Sequence, residues 1–259
     1  MSLQALPFVN WILWGALAGG SLLAVGITEW LGGTTRGYRL FMAWLVAIGG
    51  VVWLVSELNL APVPVVGGTS GLRRTLVWAF VVAAGGYLVA SLASWPRSGL
   101  AVGGGVIGIL ALVTLAAAGG TANPPILAAG LASAALALGS VNAAMLLGHW
   151  YLVTPKLSPA PLQRLIWLLI GALAVQGLLA AWAVVVGSDV LLAEGLAWLT
   201  TLRFGVGIVF PFMIAILALL ATRATSLQAT TGLLYVGLAT VMAGTIGAAS
   251  LSYLSGTPV

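Results

Sequence analysis

Arg203 stands about eight residues inside a long apolar run, roughly 12 Å from its start at 1.5 Å per residue. A guanidinium at that depth in hydrocarbon costs several kcal/mol, so it marks a functional position by default. Glu57 and Asn59 close another apolar run, and in the topology derived below they share the outer half of the membrane with Arg203. Two readings stay open for this group. It is a structural ion pair that locks two helices, or a polar pocket that receives a headgroup. A second group comprises Gly148-His149-Trp150-Tyr151, which ends a further apolar run, and Glu29-Trp30, which ends the first run at the same depth. A histidine that titrates near neutrality beside a carboxylate suits proton transfer, with Tyr151 alongside. The same residue types also serve as interfacial anchors with one apolar and one wet end. Asn142 and Gln176 fall nearer the midplane, where an amide bonds across helices.

The remaining inventory excludes much. With no cysteine, the chain offers no disulfide, thiolate metal site or iron–sulfur cluster of its own. Its single histidine rules out bis-histidine haem ligation. Met145 precedes His149 by four residues on the same helical face, so it cannot be the opposite axial ligand, and haem is not expected in this chain alone. Four acidic residues without close pairing make neither a metal cage nor a nucleophile triad. Gly103-Gly104-Gly105-Val106-Ile107-Gly108 matches GxGxxG formally, but no strand precedes it, and it reads as helix packing.

The elements that must position these residues are membrane spans. Hydrophobic residues make up 61% of the 259 and charged ones 5%, with a mean hydropathy of +1.18, which excludes a water-soluble domain. Runs long enough to cross about 30 Å of hydrocarbon lie near 8–31, 40–60, 75–95, 99–119, 125–153, 164–187, 195–222 and 228–254. The chain is therefore expected to be an all-α integral membrane protein, a polytopic bundle of about eight transmembrane helices forming one domain over 1–259. The first run lacks a basic leader segment and reads as a span rather than a removable signal. Arg36, Arg39, Arg97, Lys156, Arg164 and Arg223 fall on one side and Arg73 and Arg74 on the other, which predicts both termini outside. The net charge of +5 is explained by this topology, so no nucleic-acid partner is expected. Glycines four apart, as at Gly15 and Gly19, allow close helix approach, and Pro211 should kink the seventh span just past Arg203.

Three segments resemble the membrane anchor subunits of the DMSO reductase and polysulfide-reductase (NrfD-like) families. Trp14-Gly15-Ala16-Leu17-Ala18-Gly19-Gly20-Ser21 is similar to the glycine-rich start of their first helix. Ser56-Glu57-Leu58-Asn59-Leu60-Ala61-Pro62 is similar to the His-Leu-Gly-x-Pro type element ending their second. Ala197-Trp198 with Arg203, and Ala243-Gly244-Thr245-Ile246-Gly247, is similar to an Ala-Gly-Glu-x-x-Gly element. The pattern departs where its histidine is Asn59, its glycine Ala61 and its acid Thr245. The resemblance implies a quinone pocket towards the outer face, lined by Glu57, Asn59 and Arg203, serving a partner with iron–sulfur clusters or haems.

The resulting expectation is a non-catalytic or quinone-reactive anchor subunit of a respiratory oxidoreductase in the cytoplasmic (inner) membrane, with His149, Glu29 and Tyr151 as proton-handling residues. A small-molecule transporter or channel, and a structural or assembly subunit, are the alternatives.

Overall fold

The computed structural model describes residues 6–60, 69–95, 97–118, 123–154, 157–185 and 197–255. Lys156, Asp189, Glu194 and the Ala61-Pro62 end of the second motif lie outside them. The described residues are helical without a strand, and eight helices are long and apolar enough to cross a membrane. They are α1 (Leu6–Trp30), α2 (Arg36–Leu58), α3 (Ser70–Ala93), α4 (Ser98–Val113, extended by a 3₁₀ turn at Ala116–Ala118), α5 (Pro124–Val153), α6 (Ala160–Val185), α7 (Ala197–Arg223) and α8 (Leu227–Ser255). The polytopic α-helical bundle expected from the apolar runs is what forms.

Local chemistry sets the ends. Gly32 and Gly33 turn the chain out of α1 with φ of 77° and 99°, a region that β-carbons disfavour. The Thr35 hydroxyl then accepts from the Tyr38 amide to cap α2. α5 opens on Pro124 and Pro125, where a missing amide hydrogen costs nothing. Arg223 in the last turn of α7 complements the helix dipole.

The helices close two rings. In the first, α1 packs on α2 and α4, with α3 bridging the latter two; in the second, α5 packs on α6 and α8, with α7 bridging them. α1 and α5 form the seam between the rings. At that seam a side chain on Gly20 would strike the Ala135 carbonyl, and one on Gly139 would strike the backbone of Gly20 and Ser21. Asn142 Nδ2 donates to Ser21 Oγ at 2.9 Å and Tyr38 Oη to the Ala143 carbonyl at 3.0 Å across the same seam. Asn142 is thus an interhelical tie. Gly19 meets Gly108 where α1 crosses α4, and Gly207 meets Gly244 where α7 crosses α8. The GxGxxG match is indeed part of a helix-packing face.

Gly20→Leu is expected to destabilise the protein by more than the ~1–3 kcal/mol of ordinary overpacking, because backbone lies opposite and cannot yield. Gly103→Leu, where nothing lies within 4 Å, should be neutral. Unfolding midpoints in detergent would compare them. Arg36, Arg39, Arg97, Arg164 and Arg223 gather at one end of the bundle, and Arg73 and Arg74 at the other. With the basic end cytoplasmic, a single cysteine introduced at Thr225 into this cysteine-free chain should react with an impermeant maleimide only after the cells are opened. Labelling in intact cells would reverse the topology.

Candidate functional site

The two charges expected to pair do not. Glu57, fully buried near the end of α2, accepts from Arg73 Nε at 2.9 Å and Nη2 at 3.0 Å, a bidentate pair within the first ring. Arg74, largely exposed, adds a second cation 3.9 Å away. The Arg73 guanidinium also lies 5.6 Å from the centre of the Trp11 ring, which meets Trp53 at a tilt, and Trp53 in turn meets Phe80 edge to face. Sequence spacing gives no hint of this pair, because the apolar run near 75–95 excludes Arg73, whereas α3 begins at Ser70 and carries Arg73 in its first turn. Asn59 caps the end of α2, is exposed, and returns its amide to the Val55 carbonyl at 2.7 Å. The pocket expected to join Arg203 with Glu57 and Asn59 is therefore replaced by two separate groups in different rings. The physical reason is proximity along the chain. Arg73 lies sixteen residues beyond Glu57 in the first turn of α3, which packs on α2 within the same ring, whereas Arg203 belongs to the second ring.

Arg203 faces the interior, 3% exposed, as its desolvation cost demands. Its Nη1 donates to Gln176 Oε1 of α6 at 2.7 Å, while its Nε has no hydrogen-bond partner. The surrounding turn, Leu202–Val209, is π-helical rather than α-helical. Pro211 follows directly and accounts for the widening. It lacks the amide that would bond the Gly207 carbonyl, and a proline ring in an α-helix crowds the carbonyl four residues back, which favours a wider preceding turn. The structure places a wide π turn, Leu202–Val209, just before the proline expected to kink this span. Against this turn lies an apolar groove of about 300 Å³, lined by Gly177, Ala180, Ala181, Phe204, Ile208 and Val209. Its lining begins one residue beyond Gln176 on α6 and one beyond Arg203 on α7, and it opens where Ala181 and Val209 are exposed. Ser250 Oγ on α8, fully buried, also lacks a partner. It sits one turn beyond Gly247, where a β-carbon would lie 3.7 Å from the Arg203 amide nitrogen.

At the basic end, Glu29 is nearly buried and its Oε1 receives Tyr87 Oη and Arg97 Nε, each at 3.2 Å. Arg39 Nε also lies 3.2 Å from that oxygen, but its N–H is not aligned for a hydrogen bond. Glu29 so ties α1, α2, α3 and the start of α4. His149 shares this end of the bundle, since the Trp150 ring lies against Gly37 and Arg164 Nη1 donates to the Leu31 carbonyl at 3.0 Å. It is exposed, and no ion pair joins it to Glu29 among the described residues. Tyr151 Oη donates to the Ser158 carbonyl at 2.8 Å and fastens the α5–α6 turn. No hydrogen bond or ion pair among the described residues joins the three expected proton-handling residues, Glu29, His149 and Tyr151, to one another. Among the described residues no three of His, Cys, Asp and Glu gather to hold a metal ion.

No family model, curated protein or solved structure matches this chain.

Replacing Arg73 and Arg74 together with leucine strands Glu57 in the interior, and an unpaired buried charge is expected to cost about 3–5 kcal/mol. Adding Glu57→Leu should recover most of that. Chemical unfolding of the three proteins in detergent measures both steps, and an unchanged stability in the double variant would refute the clamp.

Proposed function

We propose that this chain is a quinone-binding membrane subunit of a respiratory oxidoreductase, seated in the cytoplasmic membrane and docked to a redox partner. The observation that carries the reading is the buried Arg203 guanidinium, held by Gln176 with Nε unsatisfied, one residue along α6 and α7 from the lining of an apolar groove. A quinone offers what this arrangement lacks. Its carbonyl oxygen accepts a hydrogen bond from a guanidinium, and charge-assisted bonds of this type are the strong ones. Its isoprenoid tail suits a groove with apolar lining at the lower end of ligand-pocket size, which is roughly 300–1,000 Å³. Gln176 holds the guanidinium in one orientation.

Glu57 and Asn59 take no part in this site. Both Glu57 oxygens are engaged by Arg73 in the first ring, so that carboxylate serves as a clamp and the chain binds and orients the quinone ring through Arg203. Without cysteine it holds no iron–sulfur cluster, and electrons exchanged with a bound quinone must pass to a partner that does. The resemblance of the Trp14–Ser21, Ser56–Pro62 and Ala243–Gly247 segments to quinone-reactive anchor subunits adds weight to the same reading.

Solvent extraction of the purified protein is expected to release quinone, and Arg203→Leu to lose it while keeping the helical signal and unfolding midpoint. Loss of one charge-assisted hydrogen bond predicts about tenfold or more in affinity for added short-chain quinone. A wild-type protein that neither carries nor binds quinone would return the Arg203–Gln176 pair to a purely structural tie.

A further inference from the structure

The two rings correspond to one another residue by residue. Gly20 and Gly139, which meet at the seam, are separated in the sequence by the same interval as Leu22 and Val141 and as Glu57 and Gln176. At that interval Val46, Trp53 and Leu54 of α2 correspond to Leu165, Ala172 and Leu173 of α6, and all six are buried. A β-carbon on Gly104 of α4 would meet Leu22 and Ala83, and one on Gly237 of α8 would meet Val141 and Ile214, which stand in the same places on α5 and α7. Packing across the seam is reciprocal, with α4 on α5 and α8 on α1, and with α2 on α5 and α6 on α1. Since α1 and α5 run in the same direction, these relations describe a two-fold axis along the membrane normal through the Gly20–Gly139 contact.

The same relation pairs Arg73 with Arg203, as it pairs their acceptors Glu57 and Gln176. Beyond the arginines, the buried Val77, Phe80 and Ala84 of α3 match the buried Ile208, Pro211 and Ala215 of α7 when α7 is given one residue more. The extra residue falls in the π turn Leu202–Val209, and a π turn absorbs an added residue while the faces on either side keep their directions. Leu58 and Arg74, next to the first pair in the sequence, correspond to Gly177 and Phe204, both in the lining of the groove. In the first ring Arg73 gives Nε and Nη2 to the two oxygens of Glu57. In the second, Arg203 gives Nη1 to the one oxygen that an amide offers, and its Nε stays without a partner. We propose that Arg203–Gln176 is the opened counterpart of the Arg73–Glu57 clamp, that Gln176 is the residue that keeps it open, and that the ligand supplies the second acceptor oxygen. The identity of that oxygen as a ring carbonyl rests on the quinone reading; the correspondence of the two pairs does not.

Gln176→Glu restores the second oxygen. In the full chain in detergent it is expected to raise the unfolding midpoint and to lower the affinity for added short-chain quinone about tenfold or more. Glu57→Gln, the reverse exchange in the first ring, should lower the midpoint and leave quinone affinity unchanged. Deletions test the register separately. Removing Gly205, where nothing lies within 4 Å, returns the π turn to α geometry with Arg203 and Ile208 still facing inward, so the protein should stay folded. Removing its counterpart Thr75 from the regular α3 turns Val77 and Phe80 off the core and should unfold the protein. A Gln176→Glu protein less stable than wild type, or a Gly205 deletion as disruptive as that of Thr75, overturns the correspondence. A stable Gln176→Glu protein with wild-type quinone affinity overturns the role given to Gln176 and leaves the quinone reading intact. A wild-type protein that binds no quinone, with Gln176→Glu still raising the midpoint, refutes the quinone reading and upholds the opened pair.

Discussion

The backbone contact between α1 and α5 at Gly20 and Gly139 is the constraint on which the arrangement depends. Lipid tails are as apolar as leucine, so burying leucines between helices gains little inside a membrane, and close backbone approach with dispersion and short polar ties must supply the association. α1 exploits this on two sides. Gly19 meets Gly108 of α4 within the first ring, and Gly20 meets Ala135 and Gly139 of α5 across the seam. A β-carbon on either α1 glycine would separate a different pair of helices. The Ser21–Asn142 hydrogen bond, one residue further, fixes the register of the crossing.

Charge is distributed around that frame by the cost of leaving it unpaired in hydrocarbon. The first ring carries both described carboxylates, one near each end, and each is closed by arginines of its own ring. These groups pin helix ends and have little left to offer a substrate. Among the described residues of the second ring one charge, Arg203, is deeply buried, and its partner Gln176 is a neutral amide. A guanidinium compensated by a single neutral acceptor retains donor capacity, and it does so in a segment where the helix widens from α to π geometry. Incomplete satisfaction, an irregular turn and an apolar groove coincide there, as they tend to where a fold gives up local regularity for binding.

Much of this was legible in the amino-acid sequence. Eight apolar runs, their punctuation by Gly, Pro, Ser and Thr, and the gathering of arginines on alternate loops follow from the length of the hydrocarbon layer and from the chain's inability to leave backbone groups unsatisfied within it. That Arg203 turns inward also follows from cost alone, since at its depth neither lipid nor water is within easy reach.

The partners were decided by tertiary structure alone. Glu57 and Arg203 share a leaflet in any topology drawn from the sequence, and one acid with one buried base invites pairing. Their separation into different rings depends on which helices are neighbours, and that is set by glycine contacts whose matches are invisible along a chain with 35 glycines. Likewise, Arg73 belonged to a loop on hydropathy grounds, because a charged residue shortens an apolar run, yet α3 begins at Ser70 and carries it inward onto Glu57. His149 and Glu29 do share one end of the bundle, but depth along the membrane normal does not fix direction around a helix. Hydropathy measures transfer into a layer, which has one coordinate. A site needs three, and the other two come from packing.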